Sequence, residues 1–534
     1  MSLTSLRSSH TLINAALAGS LAALLVWFGP PGTDFPAHVF QLDVYLNQGF
    51  AFWTNYWYAG RYTFVGYSVL YYPLAALVGI RLLAVITVAV SAGAFTLITR
   101  QTWGEATVWA TRFFAVVAAA SVASAAFPYG LGLALALTAV VAIAHRRLVL
   151  FAVLATLTLA ASPLAFLFLL VVLAAAGVTK TRHEVVKPAV IALCICALGV
   201  LVSRLFPDPG IYPFAPSELL AALLFCTVGA ALSWRVEGAR ILRTLFVAYG
   251  AVCLLSYLIP STLGENVVRL RFAAIPLTVL TLSLRRWRPL PVAVLAFGFA
   301  LVWNLSPLVS SFTRGANDPS AAPAYWAPVI GFLHQSLTPA FRVEAVGTAD
   351  HWEAVYFPQA GIPIVRGWFR QDDFPQNEVL YGNLTDATYL AWLRRLSVRY
   401  VVLTNAAPDY SAKHEIALLK SGRLGLPVVF RSANATVYSV PSPRPIVTGP
   451  GHPQVKALTG STITLALSRP GQYKLEIRYS PYLFAPKSCV TEGSDGMTVL
   501  TAPSAGTVKV AFTVSAAGAL AAITGSGTTC PDTS

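Results

Sequence analysis

The sequence predicts a polytopic α-helical membrane bundle of about eleven spans, followed by a soluble α/β domain and a small β-sandwich. Its 534 residues are 56% hydrophobic and only 11% charged, which is typical of membrane proteins. Long apolar runs recur up to residue 306 and then stop. Beyond that point helix and strand patterns are mixed, and the chain ends in short alternating runs rich in Thr, Ser and Val that are typical of a sandwich.

Each predicted span is an apolar run bounded by charged or turn-forming residues. The first run lacks an A-x-A-like cleavage site, so we interpret it as a retained span and not as a signal peptide. A break at Ser162-Pro163 divides one long run into either two short spans or one kinked span. If it is split, the predicted spans are 12–28, 79–99, 106–124, 129–145, 148–161, 164–178, 188–205, 217–234, 241–259, 272–285 and 289–306.

Basic residues orient the predicted bundle. The net charge is +15, and much of the basic charge lies in short loops between spans, which indicates a topology signal and not nucleic-acid binding. With eleven spans, all strong basic clusters fall on one side, which the positive-inside rule makes cytoplasmic. The sequence therefore predicts a multi-pass plasma-membrane protein whose N-terminus is cytoplasmic and whose C-terminal domains are extracytoplasmic. The clusters are Arg7, Arg100, Arg146-Arg147, Lys180/Arg182/Lys187, Arg235/Arg240/Arg243 and Arg285/Arg286/Arg288.

The predicted domains are a bundle at 1–306 with an outer loop at 30–68, an extracytoplasmic α/β domain at 307–440, and an extracytoplasmic β-sandwich at 441–534. In the α/β domain, FRVEAVG, WEAVYF and IPIVRGWF are predicted strands. Four of the six cysteines lie in predicted spans. Cys489 and Cys530 lie in the sandwich, outside the cytoplasm, and are predicted to form a disulfide; two free thiols are the alternative.

The loop after the first predicted span has an unusual set of polar and aromatic residues. It contains Asp34, His38 and Asp43, with a cluster of aromatic rings that includes Trp57 and is followed by Arg61. Carboxylates among aromatic rings at a membrane surface suit sugar transfer, in which a carboxylate takes a proton. We predict that the two acids and the histidine are catalytic, that Trp57 binds substrate and that Arg61 binds phosphate. The alternative is that Asp34 caps a helix and Asp43 is solvated, because nine positions place them on opposite faces of one helix.

A second polar cluster, GENVVRLR, joins the ninth and tenth predicted spans. Arg269 and Arg271 stand on the outer side, where positive-inside bias should remove arginines, and we predict that they hold a donor phosphate. Glu265 and Asn266 are predicted to bind substrate, as is Tyr129 in the turn FPYG. The alternatives are snorkelling of the arginines to lipid phosphates, pairing of Glu265 with them, and placement of Tyr129 in the interfacial aromatic belt.

Several standard signatures are absent from the sequence. It has no P-loop, no G-x-G-x-x-G before a helix, no G-x-S-x-G and no H-E-x-x-H, which disfavours ATP-driven transport and the common hydrolases. It also lacks a C-x-x-C pair and any His/Cys metal spacing. Residues 368–374 (WFRQDDF) are a candidate for contact with an acceptor glycan, and Asp350-His351 is a weaker one; for both, a surface loop is the simpler interpretation.

This order of parts resembles the GT-C superfamily of integral membrane glycosyltransferases, and in general character the chain is similar to its actinobacterial cell-envelope members. The resemblance rests on the many spans, on Asp34 in GTDFPAH after the first span, on GENVVRLR near the last spans and on the soluble C-terminal part. It covers the membrane part and the order of domains. It implies transfer of a sugar from a polyprenyl-phosphate donor to a cell-envelope glycan or glycolipid acceptor on the outer face.

The chain departs from many members of that superfamily, because its first loop has no adjacent acidic pair. The sequence therefore leaves the cofactor open: a divalent metal is one alternative, but no ligand motif supports it and no metal-binding residue is assigned. The competing hypothesis is a non-enzymatic membrane transporter or envelope-assembly scaffold. A transporter typically has charged groups at mid-membrane depth, whereas the predicted spans here are almost free of acids and the polar groups gather at the outer rim.

Overall fold

The computed structural model describes residues 3–208, 210–525 and 528–529, with side chains described from residue 9 onward except at 182, 183, 528 and 529. The chain divides into two compact units. We call one the helical unit, which comprises Met1–Phe35, Tyr67–Leu201 and Ile211–Ala316. We call the other the sheet unit, which comprises Pro36–Gly66, Val202–Gly210 and Asn317–Ser534.

The helices of the first 316 residues follow the predicted apolar runs. Each of the predicted segments coincides with one α-helix, and two further helices, α2 and α3, lie between the first and second segments. The helices are α1 Leu3–Phe28, α2 Phe35–Gln48, α3 Tyr71–Val78, α4 Ile80–Trp103, α5 Val108–Ala120, α6 Phe127–Ala144, α7 Leu148–Ala161, α8 Pro163–Gly177, α9 Arg182–Leu205, α10 Pro216–Leu232, α11 Arg240–Leu258, α12 Ala274–Leu284 and α13 Leu290–Ala316.

Long apolar helices indicate a membrane protein. Among the described residues, seven helical stretches are long and apolar enough to cross a membrane. By contrast, α7, α8 and α10 are apolar but only 14, 15 and 17 residues long. The eleven crossings and their orientation therefore stay predictions. The seven stretches are Ser9–Phe28, Ile80–Ser124, Phe127–Ala144, Glu184–Leu205, Arg240–Leu258, Gly264–Leu284 and Leu290–Ala316.

The break at Ser162-Pro163 separates α7 from α8. Ser162 is extended (φ −162°, ψ 113°), and its side chain accepts a hydrogen bond from the backbone N–H of Ala165. Pro163 stands in the first turn of α8, where a missing N–H removes no helical hydrogen bond. The long apolar run is therefore two separate helices and not one kinked helix.

Aromatic side chains from α8, α10 and α11 fill the centre of the helical unit. Phe168, Phe225 and Tyr249 are buried there in one apolar cluster. The Tyr249 hydroxyl donates a hydrogen bond of 3.0 Å to the carbonyl of Val267, which lies in the 3₁₀ helix Gly264–Ala273. This contact fixes the segment that holds the second predicted polar cluster to the core of the bundle.

The sheet unit contains a mixed sheet and a two-layer sandwich. The mixed sheet has the order β3-β4-β6-β5, with β3 parallel to β4 and the other pairs antiparallel. The strands are β1 Trp53–Thr54, β2 Arg61–Tyr62, β3 Arg342–Ala345, β4 Val398–Thr404, β5 Val428–Arg431, β6 Ala435–Ser439, β7 Val447–Thr448, β8 Gln454–Leu458, β9 Thr462–Leu467, β10 Gly471–Arg478, β11 Leu483–Phe484, β12 Cys489–Glu492, β13 Met497–Ala502, β14 Gly506–Phe512 and β15 Thr528–Thr529. The unit's later helices are α14 Pro323–Ser336, α15 Glu353–Gln359, α16 Asp386–Arg395, α17 Lys413–Ser421 and α18 Ala516–Thr524.

The sandwich consists of the sheets β15-β12-β13-β10-β7 and β11-β14-β9-β8. Both sheets contribute to one apolar core, with Leu465 from β9 and Leu475 from β10 fully buried in it. Trp53 and Tyr62, from the loop after α1, belong to the same core. Cys489 is disulfide-bonded, and its predicted partner, Cys530, lies outside the described residues.

The two units divide the chain differently from the predicted domains. Most of the predicted outer loop, Pro36–Gly66, clusters with the sheet unit because its aromatic residues complete the sandwich core. The predicted α/β and sandwich sections also fall into one unit. The strands predicted for WEAVYF and IPIVRGWF are wrong. Glu353–Gln359 is helical, and IPIVRGWF contributes only an isolated bridge between Ile364 and Val343. The Glu353 carboxylate accepts hydrogen bonds from the backbone and hydroxyl of Thr348, which anchors the start of α15.

Candidate functional site

The loop between α1 and α2 holds Asp34 against the helical unit. The Asp34 backbone N–H donates a 3.1 Å hydrogen bond to the carbonyl of Ser124. At Gly32 a Cβ would come within 2.6 Å of the Ala123 carbonyl oxygen, so only glycine allows this close approach. The loop is therefore fixed by its own backbone, and the Asp34 side chain does not have to hold it in place.

Arg269 reaches Asp34 from the 3₁₀ helix that precedes α12. Its Nη2 lies 3.1 Å from Asp34 Oδ2, although the two residues are 235 positions apart in the sequence. The Nε of Arg269 donates a second hydrogen bond, of 3.2 Å, to Oδ1 of Asn266. The side chains of Arg269 and Asp34 are only 20% and 12% exposed. Two predicted site residues thus form a mostly buried ion pair, which Asn266 orients.

Burial and the neighbouring positive charge shift the pKa of Asp34 in opposite directions. Burial raises the pKa of its carboxyl group, and the neighbouring Arg269 guanidinium lowers it, with a net rise. Tyr67 lies close enough to feel both charges: burial, and then the negative charge of Asp34, raise the pKa of its phenol. Tyr67 was not predicted as a site residue, because it stands in a loop with no motif that indicates such a role.

A cavity of about 240 Å³ adjoins Arg269 within the helical unit. One face of α4 lines it from Ala84 to Trp103, which are 19 positions apart and therefore about 28 Å apart along the helix. That length is close to the roughly 30 Å hydrocarbon thickness of a bilayer. The lining residues of α4 follow a helical spacing: Ala84, Thr87, Val88, Ser91, Phe95, Ile98, Thr99 and Trp103.

The wall of this cavity is apolar even where it contains hydroxyl groups. The hydroxyls of Thr87, Ser91 and Thr99 donate hydrogen bonds to carbonyl oxygens of their own helix. They therefore present mainly methyl and methylene surface to the cavity. Arg269 is the charged residue of the lining, and Tyr129 lines the same cavity. The cavity thus combines a long apolar wall with one cationic side chain.

The other residues of the second predicted cluster have different partners. Arg271 Nη1 lies 3.2 Å from Glu218 Oε2, and the Trp303 indole N–H donates to the same oxygen. Arg271 is not among the residues that line the cavity. Glu265 accepts a 3.1 Å hydrogen bond from the backbone N–H of Ala215, the residue before α10. Glu265 and Arg271 therefore hold neighbouring helices, whereas Asn266 and Arg269 face the site.

His38 and Asp43 lie on α2 within the sheet unit. His38 is fully buried. Asp43 is partly exposed, and burial raises the pKa of its carboxyl group against the opposing effect of hydrogen bonds from Asn47 and Gln359. The catalytic roles predicted for both residues stay predictions.

Trp57 and Arg61 are buried in the sheet unit among protein groups. The Trp57 indole N–H donates a 2.9 Å hydrogen bond to the Ala354 carbonyl. Arg61 Nε lies 2.5 Å from an oxygen of Asp372, and its guanidinium stacks 4.1 Å from the centre of the Phe369 ring. These contacts account for both side chains structurally, and their predicted roles in substrate and phosphate binding stay predictions.

Neither similarity to known proteins nor a metal-binding cluster identifies the function of this site. No protein-family model matches the chain, and no curated protein matches it at a significant level. Among the described residues, no group of three or more His, Cys, Asp and Glu side chains is arranged to hold a metal ion. Any function must therefore be argued from the ion pair and the cavity themselves.

Proposed function

We propose that the chain is a membrane glycosyltransferase that moves a sugar from a polyprenyl-phosphate donor to a cell-envelope glycan or glycolipid acceptor. The proposal places the reaction on the outer face, as the distribution of basic loops predicts. The observation that carries it is the Asp34–Arg269 pair next to a long apolar cavity. A base, a cation and an apolar channel are the three groups that this reaction needs.

The cavity suits the lipid part of such a donor. A polyprenyl chain is apolar and extended, and the wall along α4 offers about 28 Å of apolar surface. Arg269 lines the same cavity, so a phosphate at the head of the lipid would meet its guanidinium. Tyr129, also in the lining, would then lie near the phosphate or the first sugar. Arg271 is left out of this role because it pairs with Glu218.

Asp34 would act as the general base. The acceptor hydroxyl oxygen forms a bond to the anomeric carbon while the bond from that carbon to the phosphate oxygen breaks. The departing lipid phosphate keeps the electron pair, and the acceptor proton passes to Asp34. Arg269 would stabilise the negative charge on the departing phosphate.

The ion pair would also hold Asp34 as a weak base until the donor binds. The guanidinium of Arg269, 3.1 Å away, balances the negative charge of the Asp34 carboxylate. A donor phosphate would compete for the same guanidinium and weaken its hold on the carboxylate. The added negative charge would raise the pKa of Asp34 further and make it a better base. Donor binding would therefore prepare Asp34 for proton transfer.

A transfer assay with the purified full chain in lipid nanodiscs tests the proposal. A panel of radiolabelled polyprenyl-phosphate sugars is supplied with envelope glycan acceptors, and product is counted. Asp34→Asn should lower the rate by about 10²–10⁴-fold, because the amide keeps the shape of the side chain but takes no proton. Glu237→Gln, at an exposed loop position of the same unit, is the matched control and should retain activity.

A pair of arginine variants separates phosphate binding from folding. Arg269→Ala should raise the donor KM strongly, whereas Arg271→Ala should change it little once the folded fraction is accounted for. Normal transfer by Asp34→Asn would overturn the proposal. So would the absence of transfer from every donor, and the non-enzymatic transporter or scaffold would then be the leading hypothesis.

A further inference from the structure

Helix α18 of the sheet unit has an apolar outer face. Its sequence, AAGALAAIT, contains no charged residue, and it is a well-formed helix capped by Ser515 and ended by Gly525 in the left-handed conformation. Ala516, Leu520 and Ile523 follow the i, i+4, i+7 spacing of one helical face. Leu520 and Ile523 are 63% and 52% exposed. A helix in contact with water normally carries polar residues on such a face.

The inner face of α18 packs on Tyr482. A Cβ at Gly518 would come within 2.7 Å of the Tyr482 ring and 2.8 Å of the Pro481 carbonyl, so glycine allows the helix to lie directly on this residue. The Tyr482 hydroxyl in turn donates a 2.9 Å hydrogen bond to the carbonyl of Leu205, and its ring stacks on Phe206. One tyrosine side chain therefore connects α18 to Leu205.

Leu205 is the last residue of α9, one of the helices long and apolar enough to cross a membrane. Only 17% of the most apolar window of that helix is buried, so most of its surface is available to lipid. Arg204 is exposed in its last turn, where its side chain can reach lipid phosphates. A membrane-crossing α9 would therefore place Leu205 at the level at which the hydrocarbon of the bilayer gives way to head groups.

We propose that the exposed face of α18 inserts into the boundary between head groups and acyl chains, next to the end of α9. The lipid bilayer is then the partner that covers Leu520 and Ile523, and the sandwich rests on the membrane through this helix. Removal of the Leu520 and Ile523 side chains should lower the equilibrium constant for docking of α18 on the bilayer by at least about tenfold, given the apolar area that they expose. The proposal requires only that α9 crosses the membrane, and it is independent of the proposed transferase activity.

Site-specific fluorescence in nanodiscs tests this contact with the full chain. Leu520→Cys is labelled with an environment-sensitive fluorophore, in a background with Cys194 and Cys196 changed to Ala. Ile523→Cys gives a second position on the same face. Ser494→Cys, at an exposed turn of the same sandwich, is the matched control. Emission is measured with quenchers attached to lipid acyl chains and with iodide in water.

Labels at 520 and 523 should emit at shorter wavelength than the label at 494. They should be quenched by the lipid-borne quencher and protected from iodide, and the control should show the reverse. Quenching by iodide alone at 520 and 523 would show that the face is in water and would overturn the proposal. Protection from both quenchers would overturn it as well, because a second copy or another protein would then cover the face.

Discussion

A double-mutant cycle on Asp34 and Arg269 tests the central contact of the site without knowledge of the substrate. Asp34→Asn and Arg269→Gln each leave one mostly buried charge without its partner. At an effective dielectric constant of about 20, opposite charges 3.1 Å apart attract by about 5 kcal/mol. The side chains keep 20% and 12% exposure, and desolvation offsets part of that attraction. We therefore expect a coupling free energy of about 2–3 kcal/mol.

The free energy of unfolding is measured for the four proteins of the cycle, by SDS titration at fixed detergent and salt. Each single variant should lose about 3 kcal/mol, because an unpaired buried charge is costly. The double variant should lose clearly less than the sum of the two. The pair Arg423–Asp386 is the control: its atoms are 3.7 Å apart and its side chains are 67% and 40% exposed, so solvent should reduce its coupling to below about 1 kcal/mol.

Additive losses would refute this account of the site. If the coupling between Asp34 and Arg269 is within about 0.5 kcal/mol of zero, the two charges do not interact in the folded protein. The proposed competition between donor phosphate and Asp34 for Arg269 would then lose its basis. A large coupling with normal transfer by Asp34→Asn would instead assign the pair a purely structural role.

Three further predictions concern pH and packing. Because burial raises the pKa of Asp34, transfer should fall with acid at a pH above the ordinary aspartate value of about 3.9, as a pH–rate profile will show. Gly264→Ala should destabilise the protein in thermal unfolding, since φ is +41° and a Cβ would collide with the Tyr212 carbonyl oxygen. Gly298→Ala should not, because a Cβ there meets open space. Burial raises the pKa of Asp372 to about 7, so the folded state retains a proton that the unfolded state loses near pH 4. The free energy of unfolding should therefore fall as the pH rises from about 4 to 7. Asp372→Asn should remove this pH dependence.

The helices of the first 316 residues were predictable from the sequence because hydropathy is a property of short continuous runs of residues. A run long enough to cross a bilayer must satisfy its backbone hydrogen bonds within one helix, so the predicted segments coincide with helices. The break at Ser162-Pro163 was predictable for the same reason, since the Ser162 cap and Pro163 together determine where α8 begins. The number of crossings was not determined, because the shorter helices are below the usual spanning length.

The strand patterns near the C-terminus were predictable in kind, but individual short runs were not. WEAVYF is rich in aromatic residues and valine, as strands often are, yet it forms a helix anchored by Glu353 and Thr348. Over so few residues the two periods are hard to distinguish, and a tertiary contact decides between them. The division into units also depended on distant residues, since Trp53 and Tyr62 join a core whose other buried members lie between Ile446 and Val510.

Asp34 and Arg269 could be predicted as candidate site residues from the sequence, because each is a charged residue at the edge of an apolar run. Their contact depends on the folded structure, because no local pattern encodes a contact across 235 positions. The folded structure also determines that Arg271, two residues from Arg269, pairs instead with Glu218, since the turn of a 3₁₀ helix sends neighbouring side chains in different directions. Charge and hydropathy are properties of single residues and short runs, whereas a site is defined by the packing that brings distant runs together.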